Sequence, residues 1–307
     1  MSLFELLIII LFMLLGYATS RIRSKFVNVF IDVLNKYLFY VAVPITIIMK
    51  IGFMHIDYQF ALLIFISLLH IFLIFGISFS LIRLVAELIE AFSASLSLSM
   101  PNSGYLAIPL AIILWSNSIY VIPYMIAFNI VLPIITLFLA YITAKRGYDK
   151  KTYLKSIPVF TALIVALTIK MFLDIGYNAI VETIDFVISQ SFYLSFILIG
   201  EAMGKLTVKT FRKSTKIILI SFLIKYVISP LIAISLVHTI LVKASENYLY
   251  VHGIILQSLM PPAVTNVILS KIFNLDDELV ALLLVLLTPI SIAISIALGA
   301  TILPRLV

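Results

Sequence analysis

Residues 95–110 read SLSLSMPNSGYLAIPL, and residues 258–270 read SLMPPAVTNVILS. Each is a small-residue and polar stretch set in a long apolar surround, with Met-Pro at its centre. Proline lacks the N–H that continues a helical ladder, and it pushes the residue before it out of the helical region. Met100-Pro101 and Met260-Pro261-Pro262 therefore each interrupt a helix, and proline suits the first turn of a new one. Each interrupted span becomes two half-helices, and the second half of each presents free N–H groups and a partial positive charge.

The setting of these stretches is a membrane. The 307-residue chain is 63% hydrophobic and 11% charged, with a mean hydropathy of +1.23. A globular domain averages roughly 45–50% apolar and about 25% charged residues. A single core of this size buries only about three quarters of the chain's surface, so the excess apolar surface faces lipid. The 22 Phe, 15 Tyr and low charge also exclude a disordered chain. With no cysteine, the chain has no disulfide, thiolate nucleophile or Cys-ligated metal.

A membrane helix needs about 20 mostly apolar residues. Such runs lie at 3–20, 37–54, 59–82, 86–115, 119–143, 154–173, 183–203, 214–242, 247–272 and 278–303, which predicts ten spans. Runs such as Leu6–Leu15 are apolar on every side, which excludes the alternation of a β-barrel. The expected class is an all-α polytopic membrane protein. Sixteen Lys and Arg fall on one side of this arrangement and four on the other, with Lys225 inside a span. The excess marks the cytoplasmic face, so the chain is expected in the cell membrane with both termini outside. The net charge of +7 is then a cytoplasmic-face signal that meets lipid headgroups and needs no nucleic acid.

The basic connection 145–155 divides the chain into residues 1–144 and 156–307, five spans each, so an internal repeat must be inverted. Three echoes support one. Met100-Pro101 recurs as Met260-Pro261, Pro133 as Pro289, and His70, the lone ionisable group near its span centre, as Lys225, at offsets of 160, 156 and 155. Inverted repeats with discontinuous helices at the midplane are a transporter architecture, and crossed breaks make a site suited to an anion.

MPNSGYLAIPLA (Met100–Ala111) resembles the fourth-helix motif of the auxin efflux carrier family. MPPAVTNVILSKIFNLDDEL (Met260–Leu279) resembles its ninth helix, with proline at the break and a small-residue–Lys pair before a turn. LFYVAVP (Leu38–Pro44) resembles its second helix. Ala107 stands where the family has glycine. The likeness, of the prokaryotic type, extends in length and span order over nearly the whole chain. It implies the inverted-repeat fold shared with bile-acid symporters and sodium–proton antiporters, with crossed broken helices 4 and 9. It implies a scaffold of spans 1, 2, 6 and 7 with a mobile domain of spans 3–5 and 8–10, a homodimer, and elevator-type exchange of access. It also implies a small organic anion as substrate: auxin in plant members, dicarboxylates in prokaryotic relatives.

The candidate binding residues are Pro101, Asn102, Ser103, Asn129, Pro261, Pro262, Thr265 and Asn266. Asn102 matches the family's binding asparagine. From its chemistry alone, its amide either donates to a carboxylate or caps the second half-helix. Ser103 is a contact, a cap or a packing residue. Thr265 and Asn266 face the crossing or make interhelical bonds. Asn129 lies near a polar contact of plant members. Lys225 lies about 15 Å into its span, so it needs a partner: the substrate carboxylate, His70 or a backbone carbonyl. His70 is read as a coupling group or a neutral core histidine. His55, His238 and His252 make no metal motif, and Glu87, Glu90 and Asp276–Glu278 read as caps at helix starts. No span centre carries an acid, which argues against proton antiport.

Secondary transport of a small organic anion is the expected function, with no cofactor and no enzymatic activity. The alternatives are a sodium-coupled organic-anion symporter of the bile-acid type and a membrane sensor without transport. The absence of a phosphate-binding G-x-x-x-x-G-K-[ST] run argues against ATP drive. A cysteine introduced at Lys150 is expected to react with an impermeant maleimide only from the cytoplasmic side, and labelling from outside overturns the topology.

Overall fold

In a computed structural model, the chain is described over residues 3–22, 24–53, 58–115, 121–145, 154–173, 179–191, 194–206, 208–241 and 249–301. Most of the 145–155 connection, including Lys150, lies outside the described residues, as do both extreme ends. Among the described residues the secondary structure is helical with no strand. Five helices are long and apolar enough to cross a membrane: Lys25–Gly52, Tyr58–Ile82, Ile122–Leu139, Thr215–Ile240 and Asp277–Leu298. Shorter apolar helices include Ile10–Arg21, Leu88–Ser99 and Ile157–Phe172. The chain is an all-α membrane protein.

The helix Lys25–Gly52 begins twelve residues before the apolar run expected at 37–54. Ser24 caps it, its hydroxyl accepting from the Phe26 N–H at 3.2 Å. Asp32 and Lys36, one turn apart, pair at 2.7 Å on its exposed side. The helical turn widens at Leu38–Ala42, just before Pro44, and again at Ile224–Ile228, just before Pro230. A wide turn absorbs the N–H that proline lacks without ending the helix. Pro133 and Pro289 likewise sit inside continuing helices.

Helix Leu3–Arg21 packs on helix Ser195–Lys205 with their backbones in contact. A Cβ added at Gly16 would strike the Ile197 carbonyl, and one at Gly200 the Met13 carbonyl. Gly200 and Gly204 form a small-xxx-small pair. Helices in lipid gain no hydrophobic drive from meeting one another, so close approach of this kind supplies the attraction. Sequence reading had overlooked the pair.

Helix Leu88–Ser99 is buried from Ala91 to Ser99 although six of those nine residues are serine or alanine. Its serines satisfy themselves. Ser93, Ser95 and Ser97 donate to the carbonyls of Ile89, Ala91 and Ser93 at 2.7, 2.6 and 2.9 Å. Such local bonds let small hydroxyl residues pass unmet through an apolar bundle.

The acids at helix starts are caps, as expected. Glu87 and Glu90 form a capping box on Leu88–Ser99, and the Asp276 carboxylate accepts from the Leu279 N–H at 2.9 Å. Glu90 also pairs with Lys213 at 2.5 Å, a hydrogen bond that holds the Lys213 ammonium above the ordinary lysine range. Burial pushes the Asp276 carboxyl up.

Two glycines test this packing. Gly200→Leu is expected to abolish monodisperse folded protein on size-exclusion chromatography in detergent. Gly76→Ala, where an added Cβ meets nothing within 4 Å, is expected to raise stability by up to about 1 kcal/mol in a thermal-unfolding assay.

Candidate functional site

Helix Leu88–Ser99 ends at Met100, whose backbone is non-helical (φ −105°, ψ 86°). A wide turn at Ser103–Ala107 restarts the chain as Ile108–Trp115. Helix Leu249–Ser258 ends in a tighter turn, the Leu259 and Met260 N–H groups bonding the Leu256 and Gln257 carbonyls at 3.1 Å, and the chain resumes as Val264–Ile272 after an extended Ala263. Pro101 and Pro262 face each other in an antiparallel bridge. The Asn102 N–H donates to the Pro261 carbonyl at 2.8 Å, and the Ala263 N–H to the Met100 carbonyl at 3.0 Å. In an antiparallel pair, facing residues alternate between hydrogen-bonded and non-hydrogen-bonded positions. Both prolines occupy the non-bonded position, where a missing N–H costs nothing. The two breaks meet, and each is the other's backbone partner.

The carbonyls at the end of the first half-helix are met by side chains. The Asn266 amide donates to the Met100 carbonyl at 2.9 Å and reaches the Ser97 carbonyl at 3.5 Å. Lys225, 1% exposed, directs its ammonium to the Leu98 carbonyl at 3.5 Å. A cation at a helix C-terminus offsets the negative end of the dipole. Of the three partners open to Lys225 from sequence, a backbone carbonyl at a break is the one observed.

The second break has a different arrangement. The Ser229 hydroxyl donates to the Ser258 carbonyl at 2.9 Å. The His70 Nε2 lies 3.0 Å from the Ser229 carbonyl and 3.2 Å from its hydroxyl, and Nδ1 lies 2.6 Å from the Tyr124 hydroxyl. Because Nε2 faces a carbonyl it must carry the proton, so in the neutral ring Nδ1 accepts from Tyr124. His70 thus holds the residue that caps the break. Lys225 and Ser229 are one turn apart on one helix, which caps both half-helices from adjacent turns. Leu98 and Ser258, the carbonyls they reach, stand at the same 160-residue offset as the two Met-Pro pairs.

The N-terminal ends of the second halves are treated differently. Ala263 has no side chain able to cap Val264–Ile272, and no side-chain cap is made there. The Asn266 N–H turns back to the Ala263 carbonyl at 3.0 Å, and no Ser, Thr, Asp or Asn side chain serves the other first-turn N–H groups. Thr265, on that turn, is buried at 7% exposure. Asn102 and Ser103 are buried at the facing break; the Asn102 carbonyl accepts from the Ala107 N–H at 3.2 Å, and the Ser103 hydroxyl donates to the Pro101 carbonyl at 3.3 Å. Asn129 is buried within helix Ile122–Lys145.

The crossing therefore gathers Pro101, Asn102, Ser103, Pro261, Pro262, Thr265, Asn266 and Lys225. His70 is joined to it through Ser229 and Ser258. Sequence reading had missed Ser229 and Tyr124, although the K-x-x-x-S-P spacing of Lys225, Ser229 and Pro230 places lysine and serine on one helix face. Among the described residues no group of three His, Asp or Glu is placed to hold a metal ion.

Comparison with protein-family models and with curated protein sequences returns no match.

The bonds of Asn266 yield a stability test. Asn266→Leu removes donors from buried carbonyls at the first break, which costs about 1–3 kcal/mol. A lowered thermal midpoint of the purified protein in detergent is the expected result, and an unchanged midpoint contradicts the capping role.

Proposed function

We propose that this chain is a secondary transporter of a small organic anion, working by elevator-type alternating access in the cell membrane. In this reading its helices form ten spans in two inverted repeats, residues 1–144 and 156–307, with both termini outside. Spans 1, 2, 6 and 7 form the scaffold of a homodimer, and spans 3–5 and 8–10 move.

One observation carries the proposal: two buried helix breaks are paired with each other while the half-helix Val264–Ile272 starts without a side-chain cap. Buried N–H groups at a helix start favour an anion through both their hydrogen bonds and the helix dipole. The negative ends have been treated oppositely, with Lys225, Asn266 and Ser229 on their carbonyls. The start of Val264–Ile272 is thus left to its own backbone N–H groups, beside the unpaired Asn266 Oδ1. Asn102, Thr265 and Asn129 add neutral donors, which bind a carboxylate without adding a second buried charge beside Lys225.

The inverted repeat is supported by the matched offset of Leu98 and Ser258, since equivalent carbonyls in two halves are capped from one helix. A small organic anion also accords with the resemblance of Met100–Ala111 and Met260–Leu279 to auxin efflux carriers.

Uptake by proteoliposomes over a panel of mono- and dicarboxylates, with and without proton or sodium gradients, tests the proposal. Wild type is expected to accumulate at least one acid. Asn102→Ala is expected to lower its kcat/KM about 10- to 150-fold, the loss of one hydrogen bond to a charged group. Equal uptake by the variant removes Asn102 from the site, and no uptake of any acid by wild type overturns the function.

A further inference from the structure

The Ser270-Lys271 pair in the Met260–Leu279 motif has no part in the crossing, yet the end of its helix is held by two neighbours. Helix Val264–Ile272 closes in a tight terminal turn: Asn274 takes a left-handed backbone (φ 52°), and the Leu275 N–H bonds the Ser270 carbonyl at 2.9 Å. The Ile272 carbonyl remains, and the Lys155 ammonium donates to it at 2.8 Å. One residue earlier, Lys271 pairs with Glu201 at 2.7 Å. Glu201 is 5% exposed, and it also pairs with Lys205, one turn further along its own helix.

Lys155 precedes helix Ile157–Thr168, and Glu201 and Lys205 belong to helix Ser195–Lys205. These are spans 6 and 7, whereas Lys271 and Ile272 end span 9. We propose that Glu201–Lys271, with Lys155 on the Ile272 carbonyl, is a releasable latch that holds the mobile domain against the scaffold in one of its two positions. The inference rests on the elevator division proposed above.

The chemistry suits release as well as holding. Apolar side chains slide past one another with little change in energy, but an ion pair and a hydrogen bond with fixed geometry do not, so they set a discrete docked position. A buried carboxylate left alone is strongly unfavourable. Glu201 avoids that state, because Lys205 stays with it on the same helix when Lys271 departs. Lys271, 14% exposed along its side chain, lies at a helix end among the residues assigned to the cytoplasmic face, where water can receive it. A merely structural strut has no need of the second lysine.

The chain has no cysteine, so labels can be placed at will. Spin labels at Tyr58→Cys and Met171→Cys, both on exposed positions and on opposite sides of the proposed division, report the distance between mobile domain and scaffold in proteoliposomes. Glu201→Gln and Lys271→Gln are each expected to shift the ratio of two distance populations about tenfold away from the wild-type majority. Lys271→Gln leaves Glu201 paired with Lys205, so it is the milder variant and keeps the test valid if Glu201→Gln does not fold. A Glu201→Cys/Lys271→Cys pair joined by a short bismaleimide is expected to lock the majority population and stop uptake. Shifted populations without any acid uptake in wild type uphold the latch and overturn the transport reading. Uptake that continues in the cross-linked protein, or populations that neither variant moves, overturns the latch while transport stands.

Discussion

Backbone polar groups within a bilayer have no water to turn to, and that constraint organises this molecule. A helix interrupted in hydrocarbon leaves N–H and C=O groups that each cost several kcal/mol if unmet. Here the two interruptions satisfy each other through a pair of bonds, Asn102 N–H to Pro261 C=O and Ala263 N–H to Met100 C=O. Either break alone would strand these groups. The prolines that cause the breaks also fit the bridge, because Pro101 and Pro262 stand where no N–H is required. Cause and remedy are the same residues.

The bridge uses up only the first polar groups on each side, and the remainder divide by sign. Carbonyls at the ends of the first half-helices are met by Asn266, Lys225 and Ser229, with His70 and Tyr124 holding Ser229 in place. The start of Val264–Ile272 has alanine where a capping side chain would ordinarily stand. This inequality cannot be explained by stability, since Ser or Asp at residue 263 would add a cap worth about 1 kcal/mol. The proposed anion site, which would reserve N–H groups for a negative solute, accounts for it. Natural proteins depart from local rules mainly where function requires it.

Much of this was legible in the sequence, for identifiable reasons. Proline declares a broken helix because it lacks a donor, so the breaks at Pro101 and Pro261-Pro262 could be read directly. That Pro262, and not Pro261, faces Pro101 is a matter of register that no single chain position records. Lys225 could be recognised as a buried cation in need of a partner, but a backbone carbonyl has no sequence signature, so Leu98 could not be named. The start of Lys25–Gly52 was hidden because hydropathy registers Asn28, Asp32 and Lys36 as a loop, although their spacing puts them on a solvated helix face. Gly200 and Gly204 were obscured by Glu201 between them, which reads as the end of an apolar run.

The two breaks are equivalent in position but not in chemistry, and the difference has a consequence for the proposed site. At the first, a lysine lies against the Leu98 carbonyl; at the second, a serine steadied by an imidazole lies against the Ser258 carbonyl. Each reaches a break carbonyl, the serine at 2.9 Å and the lysine at 3.5 Å. Only the lysine can carry a formal charge, and among the described residues no acid is paired with it. Coulomb attraction between unit charges at low effective dielectric extends well beyond contact distance, so under the proposed function Lys225 would act on an anion without touching it. In that proposal the donors around Asn102 and Thr265 would decide where a carboxylate sits, and the lysine behind the first break would favour a negative occupant. Had serine stood at both positions, the crossing would be held together as well, yet it would discriminate far less between an acid and its neutral ester.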